Sequence, residues 1–395
     1  MRRLFMIAGF LLLFVIEILR VYFIMPFPGS QKASTIDFAY WLNRNIFWLR
    51  IFGWLLIAYP LYYTLTQRES WKRFLILIPL LIYCVIFYFF NYRFEADKMF
   101  YQPTYLSFSN SSIEERPSPA DQLVVGVDVN GQAKAYPVQF ISYHHQVRDM
   151  VGNIPVMVTY CSVCRTGRVY SPMVNGRMES FRLVGMDHFN AMFEDATTKS
   201  WWQQATGVAV AGPLKGMSLK EIPSRQSTWS SWLRAHPNSL LMSPDTTFKK
   251  QYNDLAHYDK GTMNNSLEKR DTGSWQFKSW VVGVALENAA RAYDWNDLVR
   301  KGMIQDTIRG VPVLLMLEKD AASFHVWDRK LDGMTLLFEQ PAGKDVFSDQ
   351  NTNSVWDMDG KCFSGPLKGA RLQELQASQE FWHSWKNFHP RTSRF

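Results

Sequence analysis

Apolar residues run unbroken from Leu4 to Ile16 and resume through Phe27 after Glu17 and Arg20. A stretch of about 24 such residues can cross a bilayer with some tilt. The pattern returns at Ile46–Leu65, with Arg50 near one edge, and at Phe74–Phe90, which contains Pro79 and Tyr83. These runs predict transmembrane helices at about 4–27, 46–66 and 73–92, in an α-helical membrane anchor covering residues 1–98. A cleaved signal peptide has a shorter apolar core and is not followed by two more spans, so the anchor is expected to stay. Glu17 and Arg20 sit three residues apart in the first span. They are expected to pair with each other and snorkel near its outer end, an intramembrane functional pair being the alternative.

After residue 98 the pattern changes to short alternating runs. Strands are predicted at Gln122–Val129, Ile154–Tyr160, Arg168–Val174 and Met178–Leu183, the last two joined by a hairpin turn at Asn175-Gly176. A Trp-bearing helix follows, stopped by His236-Pro237. Much of this recurs. Val124-Val-Gly-Val127 returns as Val281-Val-Gly-Val284, and Ala133-Lys-Ala-Tyr136 as Ala290-Arg-Ala-Tyr293. Gly212-Pro-Leu-Lys-Gly216 returns as Gly365-Pro-Leu-Lys-Gly369, and Trp229-x-x-Trp232-x-x-x-His236-Pro237 as Trp382-x-x-Trp385-x-x-x-His389-Pro390. The expected fold is therefore the three-span helical anchor followed by a β-rich α+β extracytoplasmic region built from two tandem homologous repeats. Repeats of about 115–120 residues are too long for a solenoid and right for small domains. Residues 99–242 form the first repeat and 281–395 the second. The connection, 243–280, is rich in Asp, Asn, Lys, Thr and Gly and is expected to drape over a site.

Charge sharpens the address. The formal net charge is +8, but residues 1–98 hold eleven Lys and Arg against five acids, while the rest carries 32 bases against 30 acids. Arg2 and Arg3 precede the first span and Arg68, Lys72 and Arg73 crowd the loop between the second and third, whereas residues 28–45 hold only Lys32 and Arg44. Basic loops stay cytoplasmic. The N-terminus is thus expected in the cytoplasm and everything after about residue 92 outside. The bilayer is the expected partner, and the nearly neutral exported part gives no electrostatic reason for nucleic acid. A small-molecule or protein partner is left open. With 47% hydrophobic and 20% charged residues, a disordered or fibrous chain is excluded. There is no GxSxG, Walker A loop, HExxH or strand-borne GxGxxG.

Comparing the repeats isolates the chemistry. His144 and His145 align with Lys301 and Gly302, and Cys161 and Cys164 with Glu318 and Ala321. The candidate site belongs to the first repeat alone. Two thiolates on a strand-to-strand turn can grip one metal ion. Cys161, Cys164 and His144 are the leading metal ligands and the candidate catalytic residues, with His145, Met186 and His188 as weaker ligands. A Cys₂His set with an open position suits zinc, and Cys, His and Met together suit copper. The rival reading is a thiol-disulfide oxidoreductase using the Cys161/Cys164 pair, and a structural pair is a third. His188, Asn190 and Gln204 lack counterparts in the second repeat and are expected to face a bound ligand or cofactor, near the aromatic pair Trp201 and Trp202. His257, His325 and His383 read as satisfied imidazoles, and His236 and His389 as helix-ending scaffold. Cys84 and Cys362 have no evident partner. A non-catalytic binding module or assembly scaffold, holding a protein or sugar on a Trp-rich surface, is the remaining alternative.

These residues resemble the bacterial domain-of-unknown-function family numbered 3179. The likeness rests on His144 five positions before Asp149, Pro155-Val-Met-Val-Thr-Tyr-Cys-Ser-Val-Cys164, Ser200-x-Trp202-x-Gln204, the Gly-Pro-Leu-Lys-Gly runs and Phe381-Trp-x-x-Trp-x-x-x-His-Pro390, across nearly all of residues 121–395. The family pattern reads Tyr-Cys-Pro-Leu-Cys-Gly where this chain has Ser162, Val163 and Arg165, and Asn where His188 falls. The resemblance implies an exported or membrane-anchored protein of the bacterial inner membrane and supplies no reaction.

Overall fold

The computed structural model describes residues 1–67, 71–110, 120–287, 289–340 and 345–395, apart from the side chains of Gln67 and residues 71–73. Arg68 and the side chains of Lys72 and Arg73, used in the orientation argument, lie outside these. The described chain forms two compact units, Met1–Tyr101 with Glu179–Ser218, and Gln102–Met178 with Leu219–Phe395.

The first unit contains three helices long and apolar enough to cross a membrane, Arg2–Tyr22, Ile36–Thr66 and Phe74–Tyr92. The first ends before Pro26 and Pro28, which cannot continue it. The second begins ten residues before the predicted apolar span, because Asp37, Asn43, Arg44 and Asn45 interrupt the hydropathy there without interrupting the helix. Close helix crossing depends on small residues. A Cβ on Gly9 would lie 2.5 Å from Ile57, and one on Gly53 2.7 Å from Leu13. Phe10, Leu13, Ile16, Leu42 and Ile57 form the apolar seam.

Glu17 and Arg20 do not pair with each other. The fully buried Glu17 carboxylate takes Arg50 Nε at 2.6 Å and Nη2 at 2.7 Å, with Asn91 at 2.9 Å and Tyr83 Oη at 3.2 Å. Arg20 reaches Glu95 at 2.5 Å and the Phe90 carbonyl at 2.8 Å. On one helix Glu17 and Arg20 can offer each other only a single contact, whereas the Arg50 fork on a neighbouring helix engages both carboxylate oxygens.

The same unit holds an antiparallel sheet of Phe181–Asp187, Asn190–Asp195, Trp201–Gln203 and Ala209–Ala211. The Met186 N–H donates to the Ile24 carbonyl at 2.7 Å. Asp195 accepts from Trp202 Nε1 at 2.9 Å and from the Thr198 hydroxyl at 2.6 Å.

The second unit is β-rich with short helices, an α+β arrangement. Leu123–Val129 and Gln132–Pro137 pair antiparallel, with Arg225–Thr228 and Leu240–Met242 outside them. Trp280–Leu286 and Ala289–Asp294 do the same, with Ala377–Phe381 and Ser393–Arg394 outside. The Trp-bearing helices, Trp229–Ala235 and Trp382–Phe388, end at His236 and His389 as the His-Pro pattern predicts. Each lays an indole on a glycine: a Cβ on Gly126 would be 2.4 Å from Trp232, and one on Gly283 2.2 Å from Trp385. Three strands, Gln146–Val151, Ile154–Cys161 and Thr166–Tyr170, form the sheet that carries the cysteines. Pro172 follows the last of these, so the predicted strand Arg168–Val174 is split. The hairpin turn is found between Met173–Val174 and Arg177–Met178, with Asn175 and Gly176 at φ 50° and 77°, as its two-residue geometry requires.

Candidate functional site

Cys161 ends strand Ile154–Cys161 and Thr166 opens the next, the two residues being paired across the ladder. The turn between them closes with the Cys164 N–H on the Cys161 carbonyl at 3.2 Å, and Arg165 leaves it with φ 55°. Both cysteines are unbridged thiols, fully buried, and their side chains hydrogen-bond to each other.

Neighbours distant in sequence build the surroundings. The Phe381 N–H donates to the Cys164 carbonyl at 2.9 Å. Tyr258 Oη donates to the Ser162 carbonyl at 2.8 Å, and His383 Nε2 lies 3.3 Å from that of Val163. Since a carbonyl only accepts, His383 donates from Nε2. Ser384 reaches the Cys164 sulfur and also donates to Glu380 at 3.0 Å, and Glu380 takes Arg168 at 2.6 Å. Lys278 lies within electrostatic reach of both sulfurs.

Burial dominates the titration of this cluster. It pushes the Cys164 thiol well up, with the neighbouring Cys161 reinforcing the shift and the Ser384 hydroxyl opposing it. It pulls the Lys278 ammonium down, with the two cysteines opposing. It holds His383 down at about 3, helped by the Lys278 charge, so this imidazole is neutral.

His144 is fully buried, its Nε2 2.6 Å from Tyr252 Oη and its ring packed against Tyr143 and Phe248. His145 caps the preceding helix with φ 58° and faces the Tyr160 carbonyl through Nδ1 at 3.0 Å, and burial lowers its pKa. Met186, His188, Asn190 and Gln204 belong to the other unit. There His188 is 2.6 Å from Asp187, whose hydrogen bond raises its pKa. Asn190 and Gln204 are fully buried and hydrogen-bonded to each other at 2.9 Å. Among the described residues, no three His, Cys, Asp or Glu side chains gather where one metal ion could bind them all.

Lys278, Glu380 and Ser384 escaped sequence reasoning, while His383, expected to be a satisfied imidazole, is hydrogen-bonded to the turn through the Val163 carbonyl. Their one sequence signal is that Ser384 aligns with Ser231 in the other Trp-bearing helix. Ser231 donates to Glu318 at 2.6 Å, and Glu318 is the residue that aligns with Cys161.

No curated protein and no solved structure matches this chain. Residues 101–392 match the family described as "Protein of unknown function (DUF3179)". With well over half its length matched, and with the cysteine turn and both Trp-bearing helices inside the match, the chain belongs to the DUF3179 family.

Proposed function

We propose that this is a membrane-anchored protein whose working group is the Cys161/Cys164 dithiol, cycling between two thiols and one disulfide on the extracytoplasmic side. The observation that carries this is the hydrogen-bonded pair of unbridged thiols within reach of the Lys278 ammonium. One cysteine, as thiolate, attacks a substrate disulfide; the other displaces the resulting mixed disulfide. The protein pair loses two electrons and two protons, and the substrate disulfide becomes two thiols. Because both sulfurs are buried, exchange requires the irregular stretch carrying Tyr258 and Lys278 to move aside. The outward orientation rests on the Arg and Lys of the N-terminus and of the loop after the second helix.

The proposal includes the duplication, with a dithiol in one copy and an ion pair at the equivalent position of the other. Three likenesses support it. Gln226 and Gln379, equivalent in the repeats, hydrogen-bond to each other at 3.1 Å. Each Trp-bearing helix stacks on a strand glycine. Asp349 also accepts from Trp356 at 2.9 Å and from Thr352, as Asp195 does from Trp202 and Thr198.

The test is a redox titration of the detergent-solubilised full chain in dithiothreitol buffers, read by alkylation of free thiols. Two thiols should disappear together in a two-electron transition, tenfold in equilibrium constant per about 30 mV, and Cys161→Ser should abolish it. A thiol count constant across the range would overturn the reading. Lys278 also favours a second reading, a soft metal ion such as copper(I) or zinc between two thiolates, the ammonium offsetting the added negative charge. Less than about one-tenth equivalent of metal bound by the reduced chain would sink it.

A further inference from the structure

A cavity of about 350 Å³ opens in the second unit beside Trp280, and neither cysteine lines it. Three of its lining side chains carry a buried polar atom with no hydrogen-bond partner: Arg270 Nε, Trp280 Nε1 and Asp259 Oδ1. Buried polar groups are nearly always satisfied, and each orphan needs an explanation. Two donors and one acceptor orphaned around one cavity call for a ligand that presents both an acceptor and a donor.

The charges of the wall sharpen this. Arg165 and Arg270 approach the Trp280 ring centroid at 3.8 and 3.9 Å, which puts them on opposite faces, since two guanidiniums cannot share one face at that height. Among the described residues neither forms an ion pair. Arg165 spends its donors on Gln379 at 2.8 Å and on the carbonyls of Tyr258 and Asp259, while Arg270 has Asn296 at 3.0 Å. Asp259 accepts the Leu123 N–H at 3.0 Å through its other oxygen, and burial holds its carboxyl up at about 6, so it is mostly ionised above neutrality. Lys260 and Asp121, at the exposed rim of the same cavity, pair with each other at 3.6 Å, and Asp320 accepts from the Thr228 and Ser323 hydroxyls at 2.8 and 2.6 Å. Arg270 and Asp259 are the cation and the anion of this wall that also carry an orphaned polar atom. Leu123, Trp295 and Val299 add an apolar wall.

We infer that this cavity binds a small zwitterion with an apolar body, an α-amino acid, its carboxylate on the Arg270 and Trp280 donors and its ammonium on Asp259. The site is independent of the dithiol and needs neither cysteine.

Calorimetric titration of the full chain in detergent at pH 7.5 tests it, with L-phenylalanine, phenylalaninamide and N-acetylphenylalanine as probes. The free amino acid should bind, and each derivative should bind about tenfold or more weakly, because each leaves one buried charge unmatched. Arg270→Gln and Asp259→Asn should each weaken L-phenylalanine by a similar factor. The probe comparison on the unaltered chain stands even if a variant fails to fold. Binding of N-acetylphenylalanine or phenylalaninamide as tight as that of the amino acid would overturn the inference, as would no heat from L-phenylalanine at millimolar concentration.

Discussion

Glu17→Ala is expected to destabilise the helix bundle by about 3–5 kcal/mol, the cost of removing one partner from a buried ion pair. Glu17 is fully buried and holds Arg50 through both oxygens, with Asn91 and Tyr83 on the same carboxylate. Its loss leaves a guanidinium among apolar side chains with Asn91 Oδ1 at 2.7 Å as its remaining hydrogen-bond partner. Arg50→Ala should cost a similar amount. Glu17→Leu with Arg50→Leu should recover most of the loss, because no unpaired charge remains. Denaturant titration of the detergent-solubilised chain, followed by helical circular dichroism, reads all three. A single variant within about 1 kcal/mol of the unaltered chain would show that the pair holds nothing.

Glu318→Ala should cost about 3 kcal/mol, the low end of that range, because Arg234 is half exposed and screened. Glu318 joins helix Trp229–Ala235 to strand Phe324–Asp328, taking His325 Nε2 at 2.7 Å, Arg234 at 2.8 Å and Ser231 at 2.6 Å. Burial opposes ionisation here, but these three partners outweigh it and hold the carboxyl down at about 2. A carboxylate with a depressed native pKa contributes stability that is complete above its ordinary value near 4.5 and is lost as pH falls toward 2. The melting temperature of the second unit should therefore fall across that window, and Glu318→Ala should flatten the fall. An unchanged acid profile in the variant would assign the acid sensitivity to other groups.

These two networks mark how far the sequence could be read. The three long apolar helices were legible because an apolar run of bilayer length needs no tertiary information, and the Asn175-Gly176 turn because few residues take both positive φ angles. The His-Pro stops were legible for the same local reason. Arg50 as the partner of Glu17 was not, since an ion pair between helices depends on which faces meet, and the i to i+3 spacing of Arg20 pointed the wrong way. Strands Gln132–Pro137 and Gln146–Val151 were missed because Lys134, Arg148 and Asp149 interrupt their apolar alternation. At the site, the cysteines stood out because the similar later sequence has Glu318 and Ala321 at the matching positions, and the strand-to-strand turn followed from the flanking β patterns. Lys278, Glu380 and Ser384 come from more than a hundred residues away, on the stretch before strand Trp280–Leu286, on strand Ala377–Phe381 and on helix Trp382–Phe388, and only tertiary packing brings them to the turn.

The most direct measurement is mass mapping of the full chain after equilibration with an oxidised dithiol and alkylation of whatever thiols remain. The tryptic peptide Asp149–Arg165 contains both Cys161 and Cys164. The account predicts this peptide unalkylated and about two mass units lighter than its dithiol form, the loss of two hydrogens, while Cys84 and Cys362 carry the label. Recovery of the same peptide with both cysteines alkylated, or linked to another chain, would contradict it.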